Sequence, residues 1–566
     1  MRIVKYCAIF FLLSCFVNGN AQLSTNESPI GLRTRLTPIR EVVKTVVMPN
    51  LDMEKIEAED IENEAKNMPP RFGYSHKVNY DLNNSGIWYE LPNGDKLWQL
   101  NIVCPHAFLV SLCFDKFWIP KGGKLFVYSK DKKHSIGAFT SKNNKGDINN
   151  PQGLATGFVY GDDVILEYYQ PKEVSFDAIV SIEYIVHGYR HVGSGEKIFG
   201  DAANCMVNVN CEEGQNWQNE KKAIAFFYLY SFRGVYMCSG ALLNTTDLSE
   251  KPLFLTANHN IRGIGDAIDN PNISCLFLWN YEAPGCVNVN VMPSSYSTSG
   301  ATVLANHSWS DFALFRLAED PKDIVGYTPY YLGWDCTGLS GDPGVCIHHP
   351  RGDVKKISTV ASQPVPSQFY NYTADTLTHW EVGWQSTLNG HGMTQSGSSG
   401  APLLNSSHKV IGQLTGDNCR DCQRPNGVSK FGRFNYSWTG INNDSIYRRL
   451  DYWLDSLNMN YQTMEGLLVI PTEMVMTANE QLYSNVHIKN TGQLTIQGDI
   501  ELMGNSRVIV EMGGKLIVDG GTMSNVDIVL KAGASLRIIN GGILETRNGF
   551  YAPVGSSVEI IEGKIL

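Results

Sequence analysis

Gly397-Ser398-Ser399-Gly400-Ala401-Pro402 is a tight turn with a serine at its centre, and two further segments belong with it. Leu255-Thr256-Ala257-Asn258-His259 is an apolar strand that ends on a histidine, and Ser310-Asp311-Phe312-Ala313-Leu314-Phe315 is a strand that begins with an aspartate. Acyl transfer from a peptide needs an activated hydroxyl, a base to take its proton, and a carboxylate that orients the base and stabilises the imidazolium. His259, Asp311 and Ser399 supply one of each. Glycines around the serine let the backbone turn sharply enough to aim the Gly397 and Ser399 N–H groups at one point, where the oxyanion of a tetrahedral intermediate would sit. Taken singly, a histidine or aspartate at a strand end is more often structural. The three together reverse that reading.

The rest of the chain sets the context. At 566 residues it is too long for one core, since single cores stop growing near about 250 residues. Apolar residues at 43% and aromatics at 11% exclude wholesale disorder. With 46 basic and 56 acidic residues the net charge is -10, the opposite of what a phosphate-binding surface needs, which argues against nucleic acid as a partner. Met1-Arg2-Ile3-Val4-Lys5 is a short basic start, residues 7–17 are almost wholly apolar, and Gly19-Asn20-Ala21 offers a small-residue exit. That pattern predicts a signal peptide over 1–21 and a secreted protein. Leu12-Leu13-Ser14-Cys15 loosely resembles a lipoprotein cleavage site, so a lipid anchor at Cys15 is the lesser alternative. No later stretch has 18 uninterrupted apolar residues, which predicts no transmembrane segment.

Export lets the cysteines be read as disulfides. Thirteen are present; Cys7 and Cys15 fall in the leader, leaving eleven, so at least one is unpaired within the chain. Cys104 with Cys113, and Cys336 with Cys346, are close enough in sequence to staple local loops. Cys419-Arg420-Asp421-Cys422 has no second CxxC and no adjacent ligand histidine, which argues against a redox or metal role. His348-His349-Pro350 reads as packing, because adjacent side chains on a strand point to opposite faces and no third ligand is evident. Trp279, Tyr281, Trp334, Trp380 and Trp384 read as core and not as a carbohydrate platform.

The expected fold is mainly β, in three units. Within residues 22–197, the stretch 33–70 is a charged helix or linker, and short apolar runs from Trp88 onward predict an antiparallel β-sandwich over about 78–192. Asn93-Gly94 marks a hairpin turn before Trp98, Leu100 and Ile102, which alternate with Gln99 and Asn101. Residues 198–460 carry the candidate triad and close on a helix with Ile446, Leu450, Trp453 and Leu454 on one face. In 466–566, runs beginning at Gly492, Gly514, Gly533 and Gly555 recur at steps of 22, 19 and 22 residues. No single coil could bury its apolar stripe, so about four stacked coils of a β-solenoid are predicted, able to bind glycan, contact a cell surface or simply stabilise.

Residues 198–460 resemble the bacterial lysyl endopeptidases, secreted members of the chymotrypsin-like serine proteases. The resemblance rests on His259, Asp311 and Ser399 and on Asn204-Cys205 through Cys211, Cys238-Ser239-Gly240-Ala241-Leu242, Trp279-Asn280-Tyr281, Gly333-Trp334-Asp335, Ile347-His348-His349-Pro350, Gly412-Gln413-Leu414 and Phe431-Gly432-Arg433. It implies a trypsin-like pair of six-stranded β-barrels with the triad in the cleft between them. It also implies that the sandwich is a prosegment cut off near Lys197-Ile198, and it proposes disulfides Cys205–Cys419 and Cys211–Cys286. The family's cysteine after the catalytic histidine is Asn260 here, which makes Cys275 the substitute partner for Cys238 and leaves Cys422 single. Where lysyl endopeptidases carry an aspartate for the substrate lysine, this chain has Ser429, followed by Lys430. A substrate ammonium buried without a carboxylate is costly. Asp417 or Asp421 could swing in, or Arg420, Arg424 and Lys430 could favour an acidic residue. The trypsin-type switch pairs a freed amino terminus with an aspartate just before the nucleophile; that residue is Ser398, so the prosegment is expected to block the cleft or to assist folding instead.

These readings add up to a secreted serine endopeptidase made as a precursor, acting on protein or peptide substrates with no metal or organic cofactor. Leu414-Thr415-Gly416 is expected to form the wall along which the substrate backbone pairs. The rival is a non-catalytic surface or adhesion protein that keeps a protease-like scaffold and uses its solenoid for binding.

Overall fold

Trp98, Leu100 and Ile102 share one face of their strand and are fully buried between two layers, as a period of two dictates. A computed structural model describes residues 27–33, 44–65, 69–174, 176–190, 202–262, 264–265, 267, 272–289, 293–369, 377–418, 422, 427–440 and 445–566. The expected leader with Cys15, the cut near Lys197-Ile198, and Cys419, Arg420, Asp421 and Arg424 lie outside these residues.

The sandwich is built from β1 (Arg71–Asp81), β2 (Lys96–Val103), β3 (Leu109–Trp118), β4 (Lys124–Ser129), β5 (Asp163–Gln170) and β6 (Ile179–Gly188). β2, β5 and β4 form one antiparallel layer; β3, β6 and β1 form the other. The hairpin at Asn93-Gly94 brings Ile87–Glu90 onto β2, with Gly94 at φ +86 supplying the left-handed turn residue. The helix Met53–Ala65 precedes this unit.

Next come β7 (Ile224–Ser231), β8 (Gly234–Leu242), β9 (Leu253–Ala257), β10 (Asn272–Trp279), β11 (Tyr296–His307) and β12 (Phe312–Leu317). Their antiparallel order is β8-β7-β10-β11-β12-β9, and β9 pairs back onto β8, closing a six-stranded barrel. A second set follows: β13 (Val345–His348), β14 (Lys356–Thr359), β15 (His379–Gly383), β16 (Pro402–Leu404), β17 (Lys409–Asp417) and β18 (Val428–Arg433). Its order is β14-β13-β16-β17-β18-β15, closed by the Val360–Trp384 bridge. Two barrels are therefore present, as the resemblance implies. The expected closing helix is instead two short turns, Ile446–Arg448 and Asp451–Leu454, because Arg449 between them is extended.

Residues from Gly466 onward wind into three parallel stacks. The central stack, Glu473–Met476, Gln493–Ile496, Lys515–Asp519, Ser535–Ile539 and Ser557–Ile561, has one strand more than the glycine repeat predicts. Glu473–Met476 lacks the Gly-x-Leu signature and so escapes a reading by period. Leu467 and Leu468 pair with Tyr330 and Tyr331, so the solenoid core runs into that of the first barrel.

The cysteines pair differently from expectation. Cys211–Cys286 forms, but Cys205 bonds Cys422 and not Cys419. Cys238 and Cys275 are buried and free. β8 and β10 flank β7 on opposite sides, with Cys238 opposite Phe227 and Cys275 opposite Leu229. Two strand spacings of roughly 4.8 Å each exceed the reach of a disulfide. Cys104 and Cys113 are free because they serve different cores, Cys104 inside the sandwich and Cys113 on the far face of β3. Cys336 packs on Tyr461 and Gln462 while Cys346 sits within β13 opposite Leu403 and Ser358, so these two are free as well. No helix among the described residues is long and apolar enough to cross a membrane.

Candidate active site

β9 is buried at every position, pinned between β8 and β12, and delivers His259 two residues past its end. Asp311 stands just before β12, so the β9–β12 pairing sets both residues at the same end of the barrel. Asp311 Oδ1 accepts the His259 backbone N–H at 2.9 Å and Oδ2 meets the ring Nδ1 at 2.7 Å. The Asp311 carbonyl accepts the Asn258 N–H at 2.9 Å. Asp311 takes φ +56, a region that costs a non-glycine residue energy, and these three bonds hold it there. A carboxylate on Nδ1 assigns the proton to that nitrogen and leaves Nε2 as the basic one. Nε2 is buried and has no hydrogen-bond partner among the described residues.

Ser399 lies in the turn before β16 and is half-buried. A Cβ on Gly400 would stand 2.1 Å from Thr256 Oγ1 and 2.5 Å from the Ser239 carbonyl, so the turn rests directly on β8 and β9. Three donors fasten it. Ser239 N–H gives to the Ser399 carbonyl at 3.0 Å, Ser239 Oγ gives to the Gly397 carbonyl at 2.9 Å, and Asn260 Nδ2 gives to the Ser399 carbonyl at 3.2 Å. The barrel that carries His259 thus grips the backbone around Ser399. Neither Ser239 nor Asn260 is singled out as functional by sequence reasoning; Asn260 registers there only as a departure.

The peptide planes around Ser399 are fixed as well. The Ser396 carbonyl accepts Arg351 N–H at 2.6 Å and the Ser398 carbonyl accepts Ala401 N–H at 2.9 Å. In a trans peptide the N–H points opposite to the carbonyl, so the Gly397 and Ser399 N–H groups are turned away from these partners. Ser398 reaches inward, where its Oγ meets His348 Nδ1 at 2.7 Å. His348 Nε2 meets Ser358 Oγ at 3.0 Å, and Ser358 Oγ also gives to the Met393 carbonyl at 2.7 Å. Burial, reinforced by the Lys356 charge, pushes the His348 imidazole down to about 3, so it is neutral. With Ser358 donating to Met393, Nε2–H is the donor to Ser358 and Nδ1 accepts from Ser398. His349 takes separate partners, donating its N–H to Ser239 Oγ at 3.1 Å with Nδ1 at the Asp353 carbonyl. The two histidines are buried packing groups that also hold the serine turn, where the sequence reading gave packing alone.

Residues 199–431 match the family model of the lysyl endopeptidase C-terminal domain. The lysyl endopeptidase of Pseudomonas aeruginosa is 30% identical over 231 residues, 38% of this chain and 46% of that protein. The chain thus spans about half the length of this curated relative. Among solved structures, the serine endoprotease from Yersinia pestis aligns at 15% identity with a TM-score of 0.25, over 39% of this chain and 62% of that one. The HtrA-type protease AlgW with tripeptide aligns at 14% and 0.26, over 39% and 60%.

Ser429, the residue expected at the specificity position, lies on β18. Ser429 is fully buried, and its Oγ accepts from Trp384 Nε1 at 2.9 Å and meets Thr394 Oγ1 at 2.7 Å. Thr394 Oγ1 gives to Asp417 Oδ2 at 2.9 Å, so a carboxylate is linked to Ser429 through Thr394. Lys430 is turned aside onto Glu381 at 2.5 Å and onto Ser367. In the expected substrate strand, Leu414 spends its N–H on Ala401 and its carbonyl on Gly400, supporting the serine turn. Thr415 is buried against His379, whose ring burial pushes down to about 4 while the Asp311 charge opposes the shift. Gly416 follows a break in the β17–β18 register and faces Phe369, which a Cβ there would meet at 2.9 Å.

Proposed function

We propose that this chain is a secreted serine endopeptidase, synthesised as a precursor, that hydrolyses peptide bonds through an acyl-enzyme on Ser399. The observation that carries the reading is the pair of hydrogen bonds from His259 to the Asp311 carboxylate, which orients a buried imidazole and leaves its Nε2 without a protein partner among the described residues. His259 takes the Ser399 proton as the hydroxyl attacks the scissile carbonyl and returns it to the leaving amine. Asp311 stabilises the imidazolium between those events, and the Gly397 and Ser399 N–H groups take the oxyanion. Water then repeats the sequence on the acyl-enzyme. Every step uses only these groups, the peptide and water.

The precursor reading rests on the leader expected over 1–21 and the cut expected near Lys197-Ile198. Ser398 is bonded to His348, so the serine turn is held without a freed amino terminus. We do not extend strict lysine selectivity to this chain, because the expected pocket presents hydroxyls at Ser429 and Thr394, with the Asp417 carboxylate behind Thr394 and not at position 429. For the solenoid we favour a stabilising role over a glycan or cell-surface contact, since its first strand continues Tyr330–Tyr331. A fluorophosphonate probe tests the central point: it should label the parent at Ser399 and leave Ser399→Ala unlabelled. A folded parent that does not react would overturn the proposal and favour the scaffold reading. Cleavage of a mixed peptide library would then read the pocket.

A further inference from the structure

The outer face of the first barrel is apolar where a free barrel would meet water. β7 is buried at all its positions. Phe227 and Leu229 fill the barrel, while Phe226, Tyr228 and Tyr230 belong to a separate cluster outside it with Met237, Leu276 and Leu278. The sandwich supplies the other half of that cluster: Phe72, Leu109, Ala155 and Val186, with ring centroids of Phe72 and Phe158 lying 4.9 and 4.5 Å from that of Tyr228. Without the sandwich these aromatics would form one exposed patch of the kind that marks an interaction surface.

The contact is also hydrogen-bonded. β1 adds to the edge of β8, with Gly73 opposite Val235 and Arg71 opposite Tyr236, so the sandwich sheet runs on into the barrel wall. Beside it the buried Arg71 guanidinium gives to Asp60 at 2.8 Å and to the Arg233 carbonyl at 3.1 Å. Lys145 Nζ gives to the Ser299 carbonyl at 2.7 Å, and Asn143 gives to Glu319 at 3.2 Å. Separation would strip Glu319 and the Ser299 and Arg233 carbonyls of their sandwich donors and bare several aromatic rings of the barrel, the signature of an obligate interface and not a transient one.

We infer that the sandwich, residues 71–190, is the permanent partner of the first barrel and stays seated on it after the chain is cut. The inference rests on the proposed cut near Lys197-Ile198. It also assigns the sandwich a bracing role. Behind the interface Phe226 and Tyr281 stack within 5.6 and 5.8 Å of the His349 ring, and His349 N–H holds Ser239 Oγ, which holds the Gly397 carbonyl. Two residues, His349 and Ser239, link the face that receives the sandwich to the serine turn.

The test uses the full chain with a site for a specific processing protease placed within 191–200, in a Ser399→Ala background so that self-cleavage plays no part. After complete cutting, gel filtration should return both fragments in one peak at the size of the uncut chain. Two separate peaks would overturn the inference and leave the catalytic reading untouched. In the active parent, kcat/KM before and after cutting should agree within about twofold. A purified barrel fragment that has lost the sandwich and keeps full activity would refute the bracing role.

Discussion

Replacing Asp311 by asparagine changes one oxygen to NH2 and leaves the volume of the site almost untouched. Oδ1 accepts the His259 backbone N–H at 2.9 Å and Oδ2 the ring Nδ1 at 2.7 Å, both out of contact with solvent. The backbone N–H is a fixed donor, so the amide oxygen of the variant must stay on it and the new NH2 must face Nδ1. That nitrogen then becomes the acceptor, the ring proton moves to Nε2, and the atom needed as a base is blocked. The charge that stabilises the imidazolium is lost too. The same change in another serine protease lowers kcat by about 10⁴-fold with its geometry intact, so a loss of about 10³- to 10⁴-fold is expected here, or about 4 to 5.5 kcal/mol at the transition state. The assay is kcat and KM on a small amide substrate at neutral to mildly alkaline pH, with thermal unfolding of both proteins alongside. KM and the unfolding midpoint should change little. A folded variant within about tenfold of the parent in kcat would refute the claim that this carboxylate sets the base.

Ser399→Ala should lower kcat by about a million-fold without unfolding the chain, and comparable hydrolysis by the variant would remove the nucleophile assignment. Ser398→Ala strips the donor from a buried imidazole nitrogen, costing about 1 to 3 kcal/mol; we expect kcat to fall by about five- to a hundred-fold with KM less affected, and an unchanged kcat would show that the His348 bond does not hold the turn. His187, His348 and His379 are held down to about 4, 3 and 4, in each case chiefly by burial. The unfolded chain takes up protons on them as pH falls through 6.5 while the folded one does not, so stability should drop from pH 6.5 toward about 4. A urea midpoint that stays level between neutral pH and about pH 5 would contradict this. Ser429→Asp puts a carboxylate on the pocket wall and should raise kcat/KM for cleavage after lysine, relative to an uncharged residue, by about tenfold or more; no shift in library cleavage would place the pocket elsewhere.

The candidate triad could be proposed from sequence because acyl transfer would demand particular residue types at strand ends and turns, and those leave local marks: an apolar run ending on His259, another beginning at Asp311, glycines around Ser399. The solenoid was legible for a related reason, since a repeated burial pattern writes a repeated sequence. What the chain did not reveal were contacts between distant edges. Nothing near Arg71 or Tyr236 announces that β1 will pair with β8, because both read as ordinary strands and the choice of neighbour is made by shape and sheet order. The cysteines failed in the same way. Closeness in sequence suggested Cys104–Cys113, yet Cys113 belongs to a strand whose far face serves another core. A resemblance suggested a partner for Cys238, yet β7 stands between it and Cys275.

Two departures from the lysyl endopeptidase pattern kept a non-catalytic scaffold in view, and they carry different weight. Asn260 replaces a cysteine that would have tied the histidine loop to β8. In its place Asn260 gives one hydrogen to Thr256 Oγ1 and another to the Ser399 carbonyl, binding the histidine loop to the serine turn itself. The tie has been re-routed, and it now joins the two parts whose alignment catalysis requires. Ser429 falls at the position where the proposed selectivity would be set, a change that leaves proton transfer alone. Against both stands Asp311, kept at a positive φ and buried, with a carboxylate that would be costly to desolvate were it not doubly bonded to His259. A scaffold freed from catalysis gains nothing by holding a strained, charged residue in that position, since many neutral residues would fill it more cheaply. The strain sits where a working triad needs it.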